Sequence, residues 1–315
     1  MFLNRFLLMQ SDRTTIAAFF KTLQDTICTA LETADGGTTF REDRWDRPGG
    51  GTGRTRVIAN GRVLEKGGVN FSEVHGTVSP ALRRALVIDG GTRFYATGVS
   101  LVLHPRNPFV PITHANVRYF ELDNGDCWFG GGIDLTPVYV DVADAQFFHE
   151  GLRSVCDAHP GAGTYHRFKR WADDYFYLPH RDEMRGIGGI FFDYLRPSAE
   201  SSKAELFAFV RAVGEAFAPL YTTLMRKNRD RPYGPREEEW QQIRRGRYAE
   251  FNLVIDRGTK FGLDSAGRTE SILMSLPPLS RWVYDHQPEA NSPEADSLGY
   301  FQKGIEWARE AVLEC

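Results

Sequence analysis

The chain has 315 residues, 42% hydrophobic and 25% charged, a globular mixture with ample material for a core. A formal net charge of -3 provides no global basic field, so nucleic acid is not an expected partner. The four cysteines, Cys28, Cys127, Cys156 and Cys315, form no CxxC pair; this argues against a zinc ribbon or a disulfide framework and suits a reducing compartment.

In chain order, residues 1–10 are apolar with one Arg and read as a short leader or part of a first helix, with organellar targeting as the alternative. No apolar run is long enough to span a bilayer, and a cytoplasmic location is expected. We take residues 1–15 as an extension and 16–315 as one domain. Residues 16–31 read as a helix, with Ile16, Phe19, Phe20, Leu23 and Ile27 on one face. Residues 46–54 read as a Gly-rich loop, and 57–71 as short strands broken by Gly. Residues 96–104 form a strand with Val99, Leu101 and Leu103 on one side and Ser100, Val102 and His104 on the other.

Pro105, Pro108 and Pro111 then enforce an extended or turning segment. In the next strand His114, Asn116, Arg118 and Phe120 alternate with Ala115, Val117 and Tyr119. Helices are expected at 144–159, 165–176 and 202–226, and a Gly-flanked strand at 187–192. Residues 226–239 read as a charged connection and 247–256 as a strand. The last helix starts at Ser292 and Pro293, a good N-cap and N1 pair. Its stripe is Leu298, Phe301, Ile305, Ala308 and Val312. Strands cluster early and reappear late without alternating one-to-one with helices, so the expected class is α+β: a broad, largely antiparallel sheet covered by helices.

Residues 49–55 superficially match a P-loop, but Pro48 stands in the place of the first Gly and Arg54 in that of the Lys; a mobile flap is the better reading. The strand bearing His114, Asn116 and Arg118 is more informative. Period-2 geometry places an imidazole, an amide and a guanidinium on one face, a set suited to an acidic ligand and a proton transfer; the alternative is a solvated sheet face. If the two strands pair, Ser100, His104, His114 and Arg118 converge. Asp134, after three glycines, is a partner for a cation or an N–H group, or else an Asx-turn. Arg268, in a Gly-containing turn, is a candidate carboxylate clamp. His104, His149 and His180 read individually as structural, and no HxH or HExxH spacing supports a metal.

Longer runs carry a resemblance. Gly67-Gly68-Val69-Asn70-Phe71-Ser72, His104-Pro105-Arg106-Asn107-Pro108 and His114-Ala115-Asn116-Val117-Arg118-Tyr119-Phe120 resemble those of oxygen-dependent coproporphyrinogen III oxidases. So do Trp128-Phe129-Gly130-Gly131-Gly132-Ile133-Asp134-Leu135-Thr136-Pro137, Arg185-Gly186-Ile187-Gly188-Gly189, Asp256-Arg257-Gly258-Thr259-Lys260-Phe261-Gly262-Leu263 and the run from Gly246 to Leu253. The resemblance spans nearly the whole chain. It implies a flat antiparallel sheet with helices on both sides, working as a homodimer. It implies two oxidative decarboxylations of coproporphyrinogen III to protoporphyrinogen IX, with molecular oxygen as co-substrate and no organic cofactor. His114 matches the family's proton donor. Ser100, Asn116, Val117, Arg118, Ala266, Gly267 and Arg268 match substrate contacts, although Ala266 often gives way to Gly. His104, His114, His149 and His180 match a set proposed to hold a divalent metal in some members.

The substrate's four propionates call for Arg, and its pyrrole N–H groups for an anion. Arg118 and Arg268 are therefore expected to position propionates, His114 to shuttle a proton, and Asp134 to hold or deprotonate a pyrrole N–H. The rivals are a porphyrinogen carrier without catalysis and a metal-dependent hydrolase built on the scattered histidines.

Overall fold

In a computed structural model that describes residues 11–264 and 267–308, the sheet comes directly from the alternating runs. Helix α1 (Arg13–Asp35) opens on Asp12, whose carboxylate accepts from Thr15 N at 2.7 Å, and stops at Gly36, whose left-handed φ of 68° few other residues adopt. Strands β1 (Arg41–Asp46), β2 (Gly51–Ala59) and β3 (Leu64–Thr77) follow as a meander, then a short helix α2 (Pro80–Ala85). Strands β4 (Arg93–Pro105), β5 (Ile112–Leu122) and β6 (Cys127–Thr136) complete the run. After α3 (Val142–Asp157) and α4 (Tyr165–Tyr175) come a small hairpin, β7 (Tyr177–Leu178) and β8 (Glu183–Met184), and strand β9 (Gly188–Leu195). Helices α5 (Lys203–Asn228) and α6 (Pro235–Glu250), a π-helical turn (Phe251–Ile255), α7 (Arg257–Asp264), α8 (Thr269–Leu273) and α9 (Pro293–Leu298) finish the described chain.

The seven-stranded sheet has the order β1-β2-β3-β4-β5-β6-β9, antiparallel throughout, and the class is α+β as expected. One face is apolar. Val99, Leu101, Leu103, Val117, Tyr119, Phe129, Ile133, Ile190 and Phe192 pack with α1, α3 and α5 into the main core. The other face is polar or glycine in its middle and is roofed by α6, the π turn and α8. There Tyr248 meets Val102 and Ile112, Phe251 joins Phe176 and Phe191, and Asn70 Nδ2 donates to the Ser271 carbonyl at 2.8 Å. Among the described residues no helix is long and apolar enough to cross a membrane.

Four expectations need correction. The Gly-rich stretch 46–54 is a hairpin turn running into β2, not a flap: Gly51, Thr52, Gly53 and Arg54 pair with Val74, Glu73, Ser72 and Phe71. Residues 247–256 are not a strand but the end of α6 and the π turn, so Phe251 and Asn252 are both buried while Leu253 and Val254 are both exposed. The charged connection shortens to residues 229–234, because α5 reaches Asn228 and α6 starts at Pro235. The last helix ends at Leu298; Phe301 leaves the helix to accept from Met184 N at 2.8 Å, which pulls the backbone onto β8, and Val312 lies outside the described residues.

Candidate active site

The register of the sheet sets out the polar face as rows. One row runs Asp43, Thr55, Asn70, Ser100, Asn116, Gly132; a second runs Trp45, Gly53, Ser72, Gly98, Arg118, Gly130. A third brings Gly68, Val102, His114, Asp134 and Gly189 side by side. Gly53, Gly98, Gly130 and Gly132 thus make a lane without side chains of its own, over which neighbours reach: a Cβ would stand 2.0 Å from the Trp45 ring at Gly53, 2.6 Å from Arg118 Nε at Gly130 and 3.0 Å from the Phe191 ring at Gly132. At about 4.8 Å per strand, β1 and β5 lie roughly 19 Å apart, the reach of a large flat ligand with its side chains.

At the head of this lane stands a hydrogen-bonded chain. His114 Nδ1 lies 2.9 Å from Asp134 Oδ1, and Arg185 Nη2 lies 2.7 Å from Asp134 Oδ2. Asp134 and Arg185 are each only 2% exposed in their side chains. The Arg185 guanidinium is packed against the rings of Phe176, Tyr248 and Phe251 at 4.4, 4.6 and 4.5 Å, the cation–π contacts that make its burial tolerable. Burial alone would raise the Asp134 carboxyl, but the Arg185 charge and the His114 hydrogen bond outweigh it and hold Asp134 below the usual carboxylate range. An ionised Asp134 only accepts, so His114 Nδ1 carries the hydrogen, and in the neutral ring Nε2 is left as acceptor, 3.3 Å from Asn116 Nδ2.

The sheet therefore brings together His114, Asn116, Arg118, Ser100 and Asp134. Asp134 has both oxygens engaged, by His114 and Arg185, and is 1% exposed, so its carboxylate is turned into the fold and not toward the lane. The Val117 side chain is 4% exposed and points into the opposite core, so a ligand in the lane meets at most its backbone. Arg268 lies over the far end of the first row, paired with Asp43, and its Nη1 is buried without a partner among the described residues. Gly267 sits beside it, its N–H bonded to the Gly262 carbonyl at 2.8 Å, while Ala266 lies outside the described residues.

The four histidines matched to a metal site are not gathered. His104 is fully buried, with Nε2 2.8 Å from the Ser275 carbonyl. His149 belongs to the other helical layer, between Tyr165 Oη at 2.7 Å and the Ile187 carbonyl at 3.1 Å. His180 is surface-side, 3.0 Å from Glu250 Oε2. Among the described residues no three His, Cys, Asp or Glu are grouped to hold a metal ion. Burial pushes His104 and His149 down to about 3. Their unfolded forms take up protons below 6.5 and the folded forms do not, so stability falls as pH drops from there toward 3. Denaturant midpoints are expected to show about 4 kcal/mol less stability from this pair at pH 5 than at pH 7.5; equal free energies at both pH values would contradict it.

Reading along the sequence missed the roof. Asp256 follows the π turn and is held by Tyr175 Oη at 2.7 Å and by Thr259 N and Oγ1, both at 2.7 Å. It is partly exposed, and although burial raises its carboxyl, the Thr259 and Tyr175 hydrogen bonds outweigh that and hold it below the usual carboxylate range. Arg185 was visible only as the start of a Gly-rich run, since its partner lies 51 positions away. A family model described as coproporphyrinogen III oxidase matches residues 15–307.

Proposed function

Because the chain belongs to the coproporphyrinogen III oxidase family, an oxidoreductase family of haem biosynthesis, we propose that it oxidises coproporphyrinogen III with molecular oxygen and without an organic cofactor. The observation that carries the reading is the glycine lane, flanked by Arg118 and Arg268 and headed by the Asp134–His114 pair. A flat tetrapyrrole is proposed to lie along this lane, with its carboxylates meeting guanidinium forks.

Each propionate loses carbon dioxide and two electrons to become a vinyl group. One oxygen takes up those electrons and two protons to leave as hydrogen peroxide, so each step consumes one oxygen and one proton overall. The activated species is the electron-rich pyrrole itself. Loss of its N–H proton lets the ring react with oxygen, and the peroxide adduct removes the proton beside the ring as decarboxylation follows. His114, fixed by Asp134, moves a proton at Nε2. Asp256, partly exposed on the roof and already held by Tyr175 and Thr259, is the carboxylate proposed to accept a pyrrole N–H as a further bond. Arg118 and Arg268 hold propionates, so that the reacting side chain is aligned before oxygen arrives.

The protein is further proposed to act as a homodimer in the cytoplasm. Leu279, Trp282, Val283 and Tyr284 form an exposed apolar run, with Tyr284 99% exposed, and are candidates for the contact. Cys28, Cys127 and Cys156 are free, in keeping with a reducing compartment. Oxygen uptake tests the reaction. Two oxygens are expected to disappear per protoporphyrinogen formed, undiminished by EDTA. Product formation without uptake would defeat the oxygen reading.

A further inference from the structure

Strand β9 departs from regular pairing at one place. Phe129 pairs with Leu195 and Gly131 with Phe192, so Asp193 and Tyr194 together face the single residue Gly130. This two-against-one count is a β-bulge, a device that turns a side chain out of the alternation. Tyr194 takes a left-handed φ of 50°, which is unfavourable for a residue with a bulky side chain. Its ring is fixed by stacking on Trp128 at 5.3 Å, with the Arg196 guanidinium over both rings at 4.7 and 5.2 Å, and its hydroxyl donates to the Leu86 carbonyl at 3.2 Å.

The bulge aims Asp193 across β6. Its Oδ1 accepts from Tyr194 N at 2.9 Å, which locks the carboxylate, and its Oδ2 accepts from Arg118 Nη2 at 2.7 Å. Gly130 makes this possible, because a Cβ there would stand 2.6 Å from both Arg118 Nε and Asp193 Oδ1. Among the described residues Asp193 is the one hydrogen-bond partner of Arg118, whose side chain is 45% exposed and otherwise faces the lane. A long flexible cation is thus held at one nitrogen by a rigid carboxylate, with its remaining donors open.

We infer that Asp193 is a positioning residue: the bulge uses it to fix the direction in which Arg118 presents its guanidinium to a substrate propionate. The inference rests on the reading of Arg118 as a propionate ligand. Removing Asp193 has two opposed effects on affinity. It frees the Arg118 rotamers, which weakens binding, and it removes a negative charge near the incoming carboxylate, which strengthens it. Because the two oppose each other, affinity is expected to change less than alignment. Misplacement of a reacting group lowers turnover rather than binding.

The test is a cycle of Asp193→Asn, Arg118→Ala and the double variant, assayed on coproporphyrinogen III with the intact chain. Asp193→Asn is expected to lower kcat about tenfold while KM moves less than about threefold, with the thermal midpoint nearly retained because the Arg118 side chain is 45% exposed. In the Arg118→Ala background the same change is expected to do nothing further. Unchanged kcat, or an equal fall in both backgrounds, would overturn the role of Asp193 while leaving the reaction intact. A wild-type protein that turns over no substrate would instead defeat the functional reading and this inference with it.

Discussion

Replacing Asp134 by Asn is expected to lower kcat roughly 10²–10⁴-fold while substrate affinity stays near wild type. The amide nearly matches the carboxylate in shape, and its oxygen still accepts from Arg185 Nη2, now at 2.7 Å from Asp134 Oδ2. Its nitrogen then faces His114 Nδ1, where Asp134 Oδ1 now sits at 2.9 Å. Two donors cannot share that contact, so the ring switches tautomer and Nε2, the acceptor in the wild-type ring, becomes a donor, which disrupts the proton transfer assigned to His114. His114→Ala should cost about as much, and the double variant little more, because the two side chains act as one unit. Steady-state kinetics of the three variants decides this. Wild-type turnover in Asp134→Asn would remove the pair from the mechanism.

The second large effect falls on stability. Arg185→Met is expected to destabilise the fold by about 3–5 kcal/mol, because it leaves a buried carboxylate without its guanidinium. That is a sizeable share of the roughly 5–15 kcal/mol by which a domain is stable. In the wild type the folded Asp134 titrates below its ordinary value of 3.8. The stability it contributes is therefore complete above 3.8 and lost as pH falls through the lower folded value. Without Arg185 the largest force holding Asp134 down is gone and burial pushes it up, so the loss moves to higher pH. Adding Asp134→Asn to Arg185→Met should recover much of the stability, since an unpaired charge costs more than no charge. Urea unfolding of the single and double variants measures this; a double variant no more stable than Arg185→Met would show that Arg185 acts through its ring contacts instead.

The centre of the sheet was legible because β4, β5 and β6 obey a period of two. Ser100 with His104, and His114 with Asn116 and Arg118, could be placed on one face from spacing alone. Spacing also puts Val117 on the opposite face, so the substrate contact that the family resemblance implies for it would run through its backbone. The roof was misread for a specific reason. Helix α6 buries Arg244 and Arg245, each 2% exposed, among Trp240, Ile243 and Tyr248, so two cations interrupt the apolar stripe of its inner side. The alternation of Phe251, Leu253 and Ile255 then read as a strand, whereas a π turn buries Phe251 and Asn252 together. Asp256 and Arg185 were hidden because their roles depend on contacts across the fold that no local pattern records. The scattered histidines show the same limit: only the fold reveals that His149 lies behind the sheet and His114 in front of it.

The most direct test is an incubation of the purified protein with freshly reduced coproporphyrinogen III, in air and under strict anaerobiosis, with EDTA in both. Products are oxidised to porphyrins and separated by chromatography. Protoporphyrin in air and none without oxygen is the predicted result. Equal product in the absence of oxygen would contradict the oxidant, and no product in air would contradict the assigned reaction.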